Sequence, residues 1–386
     1  MSMKNWRING GGTRMIYLNN GATSWPKPKC VFDAMQKALN ELPCSAHRSG
    51  FDEEENCNCR QLLSRLLQVD NPNHIVYGSN ATFGLNLAIQ GFEFNEGDKV
   101  LTTAAEHNSV LRPLYYLQKK KVIEYEIIDV NEEGRIDLDL WEKTIKEIRP
   151  RMVIFTHASN VTGAINDAEK LAAIAKKYNC VVLLDASQSL GLIDVLPQKW
   201  DIDMVVFTGH KYLLGPQGTG GLYVSPKIKL NPVLQGGTGI YSDEDTMPEE
   251  MPLKLEAGTP NDISFKGLEE ALRWSFKNPL NKGSIDYLVN KIKTELKKMN
   301  VNVIDVSGEI TPVISFTMEE YSVNEVGEIL QMSFDIICRS GLHCAPLIHK
   351  CLNTSPSGTV RISLSRFTTE EEVDYFINSI KDIIYG

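Results

Sequence analysis

Residues 151 to 185 read RMVIFTHASNVTGAINDAEKLAAIAKKYNCVVLLD. Arg151 to Thr156 is a short apolar run, and Val181 to Leu184 is a second one. Between them Leu171, Ile174, Ala175 and Tyr178 recur at helical spacing on one face, and Asp167 stands where it can cap the start. The same alternation extends outward from this unit. Runs at His74 to Tyr77, Lys99 to Thr102 and Val122 to Ile128 precede it, and runs at Met204 to Phe207 and Gly221 to Val224 follow. Strands that alternate with helices imply an α/β fold whose mostly parallel sheet is covered on both faces.

The pattern changes after about Gly236. A Gly, Thr and acidic stretch runs to Pro252, helices dominate next, and strands return at Pro312 to Phe316 and Val360 to Leu364. The last helix opens with Thr369-Glu370-Glu371-Glu372, a capping box. These changes predict a segment 1–30 packing with the small domain, a large domain over 31–255 and a smaller α+β domain over 256–386.

The chain has 386 residues, a net charge of −9 and no basic cluster, which points to a small-molecule substrate rather than nucleic acid. No apolar run is long enough to span a bilayer, and the first residues lack a signal-peptide core. Eight scattered cysteines without a secretion signal predict reduced thiols in a cytoplasmic protein. Cys57 and Cys59 have no second pair nearby to complete a zinc site, so no metal is expected.

The run Asp203-Met-Val-Val-Phe-Thr-Gly-His-Lys211 ends a strand on a lysine, with Gly215, Gly218, Gly220 and Gly221 following. Desolvation at such a position lowers a lysine pKa and yields a free amine able to form a Schiff base; the plainer alternative is a lysine on a surface loop. Val181-Val-Leu-Leu-Asp185 ends a strand on a carboxylate, and strand ends along one edge of an open parallel sheet converge on one crevice. A pyridoxal ring needs an anionic partner for its nitrogen, which Asp185 could supply, and Gln188 could reach a ring substituent. Tyr77-Gly-Ser-Asn-Ala-Thr82 lies between a strand and a helix, where small residues and a helix N-terminus suit one phosphate, placing Ala81 and Thr82 among the candidate ligands. His107 follows the next strand and could lie over a flat cofactor, or be structural.

Together these segments resemble the class V aminotransferase family of pyridoxal-phosphate enzymes, and within it the cysteine desulfurase and selenocysteine lyase branch. The resemblance runs from Tyr17-Leu-Asn-Asn-Gly-Ala-Thr-Ser-Trp-Pro-Lys-Pro28 to the last helix. Its most specific pieces are Glu106-His-Asn-Ser-Val-Leu-Arg-Pro113, Asp185-Ala-Ser-Gln188, Thr208-Gly-His-Lys211, Glu256-Ala-Gly-Thr-Pro-Asn261 and Arg339-Ser-Gly-Leu-His-Cys-Ala-Pro346. It implies the fold type I of pyridoxal 5′-phosphate enzymes and a set of roles. Lys211 would carry the cofactor, Asp185 would partner the ring nitrogen, Gln188 the ring hydroxyl, and His107 would stack on the ring. Thr82, Thr208 and His210 would hold the phosphate, and Thr259 would reach the phosphate of the neighbouring subunit in a homodimer. Asn160 would lie beside cofactor and substrate, Arg361 would bind the substrate carboxylate with Arg339 assisting, and Cys344 would take the sulfur as a persulfide. A dedicated sulfur-acceptor protein, and a place in iron–sulfur cluster assembly, go with this short cysteine loop. The chain departs from the family pattern at Asn19, often Asp, at Phe83, often acidic, and at Leu342, commonly His.

A thiol attacks only when deprotonated and reachable. Cys344 follows His343, sits in a glycine-containing loop and has Arg339 and Arg361 nearby in sequence, whereas Cys30 and Cys180 fall in apolar patterns. Other chemistries on this fold are a transaminase, an epimerase or a β-eliminating lyase, none of which needs a thiol. A non-catalytic sulfur-transfer scaffold is the third reading, opposed by the intact Lys211, Asp185, His210 and Cys344.

Overall fold

The computed structural model describes residues 15–41 and 58–386. Cys57, and residues 1–14 of the expected N-terminal segment, lie outside the described residues. In chain order the strands are β1 Ile16–Tyr17, β2 Ile75–Gly78, β3 Asp98–Thr103, β4 Ile123–Ile128, β5 Met152–Thr156, β6 Val181–Asp185, β7 Met204–Thr208, β8 Gly220–Val224, β9 Asn302–Val303, β10 Val313–Thr317, β11 Ile336–Ile337, β12 Arg339–Gly341 and β13 Thr359–Ser363. The helices used below are α1 Lys29–Asn40, α2 Cys59–Leu67, α3 Ala81–Gly91, α4 Asn108–Lys119, α5 Leu138–Ile148, α6 Ala168–Lys177 and α7 Asp262–Lys277.

Seven strands form the main sheet in the order β2-β8-β7-β6-β5-β3-β4. Only β8 runs against its neighbours, so β2, β3, β4, β5, β6 and β7 all end at the same edge. Every residue of β5, β6, β7 and β8 is buried, because both faces of the sheet are covered. That explains their unbroken apolar sequences. Edge strand β4 is exposed at alternate stretches and carries glutamates. Each aliphatic side chain fully buried in these layers contributes about 1.5–3 kcal/mol of transfer free energy. Asp167 caps α6 as its position suggested, its carboxylate accepting from the Lys170 amide at 3.0 Å.

A four-stranded antiparallel sheet, β12-β13-β10-β9, forms the smaller layer. Ile16 and Leu18 pack in its core, and β1 pairs in parallel with β11. The expected boundary at residue 256 falls ahead of α7. Phe265, Leu268 and Leu272 of that helix pack in the large-sheet core beside Leu63 and Leu67, and beyond that helix the residues that pack with the small sheet begin at Leu280.

Candidate active site

The edge where the strands end collects the side chains. Gly78 of β2 and Thr208 of β7 are both in register with Gly220 of β8, so the turn after β2 and the end of β7 lie side by side. Gly220 is required there: a Cβ would fall 2.7 Å from Asn80 Cα. Asn80 caps α3 by accepting from the Phe83 amide at 3.0 Å, which leaves Ala81 and Thr82 on the first turn of a helix with its positive end at the site. Thr82 Oγ1 and Ser109 Oγ are 2.7 Å apart. Ser109 Oγ lies 2.9 Å from His107 Nδ1, and the Ser109 amide donates to that nitrogen at 3.1 Å. Nδ1 is therefore an acceptor, and the neutral ring carries its hydrogen on Nε2. Burial, and next the Lys211 charge, lower the His107 pKa to about 4.

Asp185 ends β6 and is 5% exposed. Its Oδ1 accepts from the Ser187 amide at 2.9 Å and from the Ser187 hydroxyl, while Oδ2 has no hydrogen-bond partner among the described residues. Gln188 donates to the Gly21 carbonyl at 3.0 Å and keeps a buried Oε1 without a partner among the described residues. Lys211 follows β7. Burial lowers its amine to about 8 against the opposing pull of Asp185, with Arg361 and Arg339 adding to the lowering and Cys344 resisting it. No hydrogen bond holds that amine among the described residues. The His210 carbonyl is gripped by the Ser24 amide at 2.9 Å and by the hydroxyls of Thr23 and Ser24 at 3.1 Å, and its ring Nδ1 is buried without a partner among the described residues. Thr208 Oγ1 points to the Thr219 carbonyl at 3.4 Å.

The small sheet closes the site from the other side. Arg361 of β13 is 1% exposed, and Arg339 of β12 stands directly opposite it. Arg361 Nη1 donates to the Asn160 carbonyl at 3.0 Å, and Asn160 Nδ2 donates to the His343 carbonyl at 2.7 Å. Arg339 Nη2 donates to Cys344 Sγ at 3.0 Å. His343 and Cys344 both adopt left-handed backbone, with φ of 50° and 60°. The Cys344 carbonyl accepts from the Asn108 amide at 2.7 Å, which ties this loop to the start of α4 beside His107. Burial raises Cys180 and Cys338 to about 11, so those thiols stay protonated. Cys344 is partly buried and has a guanidinium on its sulfur.

Lys211, Asp185, His107, Arg339, Arg361 and Cys344 thus share one electrostatic neighbourhood, and Asn160 bridges its halves. Thr259 stands apart: it is exposed and bonds nothing among the described residues. Three contributors stood inside the quoted motifs without a role of their own. Ser109 links Thr82 to His107, and Ser187 occupies Asp185. Glu106 is fully buried, with Oε1 accepting from Thr103 Oγ1 at 2.7 Å and the Thr156 amide at 3.0 Å. Their hydroxyl and carboxyl types carry no signal without the contacts. Among the described residues no helix is long and apolar enough to cross a membrane, and no cluster of three or more His, Cys, Asp or Glu could hold a metal.

Residues 16–376 match the aminotransferase class-V family. A probable cysteine desulfurase from Pyrococcus abyssi is 32% identical, over 96% of this chain and 94% of that protein. The apo structure of cysteine desulfurase from Thermococcus onnurineus NA1 superposes with a TM-score of 0.87 at 30% identity, covering 96% of this chain and 94% of that one. The cysteine desulfurase CsdA of Escherichia coli gives a TM-score of 0.85 at 26% identity over 95% of this chain and 94% of that one. The chain belongs to the class V aminotransferase family of pyridoxal 5′-phosphate enzymes, in the group of the cysteine desulfurases.

Proposed function

We propose that this enzyme converts L-cysteine to L-alanine and keeps the sulfur as a persulfide on Cys344. The observation that carries this reading is the Cys344 sulfur, held by Arg339 on a loop tied to the His107 helix, within the electrostatic field of Lys211. Transamination, epimerisation and β-elimination leave that thiol without a task.

The side chains fit the cofactor. A flat, anionic pyridine aldehyde needs a free amine, a carboxylate for its ring nitrogen, a polar partner for its ring hydroxyl and donors for its phosphate. Lys211 offers the unbonded amine, Asp185 Oδ2 the carboxylate oxygen, and Gln188 and His210 buried polar atoms without partners. The first turn of α3 with Ala81 and Thr82, together with Thr208, would hold the phosphate, and His107 would cover the ring. Bound there, pyridoxal 5′-phosphate withdraws electrons from the substrate's Cα, so its proton can be removed.

Arg361 would take the substrate carboxylate through two N–H groups, with Asn160 fixing its tilt. Lys211 Nζ, unprotonated above about pH 8, would carry the proton from Cα. Cys344 Sγ would then attack the substrate sulfur. The new S–S bond forms as the Cβ–S bond breaks, and its electron pair stays with the carbon that is protonated to alanine. Arg339 would stabilise the thiolate before attack.

The same site would accept selenocysteine, in which the bond to carbon is weaker. Thr259 would serve the phosphate bound by the opposite subunit of a homodimer, and a sulfur-acceptor protein, as in iron–sulfur cluster assembly, would unload the persulfide. Supplying both amino acids and quantifying alanine, sulfide and selenide separately tests the activity. Alanine formed from cysteine in step with transferred sulfur supports it; pyruvate or an exchanged amino group in its place would assign a lyase or a transaminase.

A further inference from the structure

A buried guanidinium without a counter-ion is costly, because desolvation removes its hydration and nothing repays the charge. Arg361 is in that position. It is 1% exposed, and no carboxylate pairs with it among the described residues. Both of its acceptors are neutral: the Asn160 carbonyl at 3.0 Å and Asn19 Oδ1 at 3.1 Å. Its Nε is buried with no partner among the described residues. The residue opposite it in the ladder is a second cation, Arg339. Burial and Arg339 lower the Arg361 pKa to about 10, which still leaves it charged at neutral pH.

Asn19 is set firmly. Its backbone bridges Ser363 of β13, and its carbonyl accepts from the Ala22 amide at 3.0 Å and from Tyr17 Oη at 3.2 Å. Gly21 lies so close that a Cβ there would come within 3.6 Å of Arg361 Cζ. The Asn19 backbone is therefore held by the chain around it, and from there its carboxamide oxygen meets the guanidinium.

We propose that Asn19 is a positioning residue, aiming the Arg361 guanidinium without neutralising it and so leaving that charge for the α-carboxylate of an amino-acid substrate. Aspartate has the same shape as asparagine, and next to an arginine it would be ionised. It would supply a resident counter-ion in a site where charges interact more strongly than in water. The substrate carboxylate would then have to compete with it. The inference rests on the reading of this site as one that binds an amino acid.

The test compares Asn19→Asp and Asn19→Ala with wild type, all cofactor-loaded. It measures the equilibrium affinity for L-alanine by calorimetry, and KM and kcat for cysteine. Asn19→Asp should weaken alanine binding and raise KM by about tenfold or more, the scale of one charge-assisted hydrogen bond, and change kcat by less than about threefold. Asn19→Ala removes only a neutral acceptor and should raise both constants by about threefold. Alanine binding by wild type should also weaken as chloride is added, since chloride competes for an unpaired guanidinium. Wild-type affinity in Asn19→Asp, equal losses in the two variants, or indifference to chloride would each overturn the proposal. If Asn19→Asp does not fold, the chloride series on wild type decides. Alanine binding that Asn19→Asp abolishes, in a wild type that never desulfurates cysteine, would remove the proposed activity and leave the role of Asn19 standing.

Discussion

The end of β7 and the loop around Cys344 place their reactive atoms by different means. Lys211 lies three residues beyond an apolar strand in the middle of a seven-stranded sheet, in a turn set by the sheet edge and by the bonds from Ser24 and Thr23 to the His210 carbonyl. Cys344 comes in a turn with two successive left-handed residues, a conformation that costs about 1 kcal/mol or more at each non-glycine position. What keeps it there are bonds from elsewhere in the chain: Asn108 to the Cys344 carbonyl, Asn160 to the His343 carbonyl, Arg339 to the sulfur. A rigid edge suits the group that must hold a cofactor throughout. A loop secured at a few points suits the group that must reach a sulfur and afterwards present it to another molecule.

The first way to break this comparison is to remove the lysine. Lys211→Ala should abolish turnover and the visible absorbance of the cofactor-bound enzyme while the far-ultraviolet circular dichroism stays unchanged. Turnover at the wild-type rate would mean that the strand end has no covalent role.

Removing the thiol should separate the two regions. Cys344→Ala should keep its cofactor and its absorbance, yet lose alanine formation from cysteine by about a hundredfold or more, the contribution expected of a positioned catalytic group. Turnover of selenocysteine should fall less. Equal losses on both substrates would mean that the loop shapes the site rather than attacking sulfur.

A smaller effect is expected at the arginine that joins the halves. Arg361→Lys keeps the charge and loses the planar fork, so KM for cysteine should rise by about ten- to a hundredfold with a lesser change in kcat. An unchanged KM would place the carboxylate elsewhere.

The smallest effect concerns the sheet beneath Asp185. Burial raises Glu106 to about 8, and the nearby Asp185 charge adds to the rise. Its unfolded value is the ordinary 4.5, so the folded chain holds a proton that the unfolded chain has lost between those two values. Stability from this group is therefore full below about pH 4.5 and fades as pH rises toward 8. Glu106→Gln should lessen the drop in melting temperature between pH 6 and pH 8.5. The same drop in both proteins would show that Glu106 is ionised in the fold.

The two regions were also unequally legible in the sequence. All seven runs of the large sheet are strands; in β5, β6, β7 and β8 both faces are buried and the sequence is correspondingly apolar, whereas edge strand β4 is partly exposed and mixes glutamates with its apolar residues. Asp185 at the end of one run and Lys211 just beyond another could be named from that pattern, whereas the role of Thr208 came only from the family resemblance. Strand order and the reversed direction of β8 could not, since they depend on pairings between distant segments. The contacts that fix the second region are of the same long-range kind. Asn19 meets Arg361 across 342 residues and Asn160 meets His343 across 183, and no local spacing announces either. The membership of α7 in the large-sheet core was hidden for a related reason: a helix carries no mark of which layer its apolar face will meet.

The most direct measurement of the central claim is mass spectrometry of the purified enzyme after a single addition of cysteine, without reductant, with the peptide containing Cys344 mapped. A persulfide on Cys344 sulfur, appearing in step with one alanine per active site and absent from Cys180 and Cys338, is the predicted result. Alanine formed with Cys344 unmodified and the sulfur released directly as sulfide would contradict it.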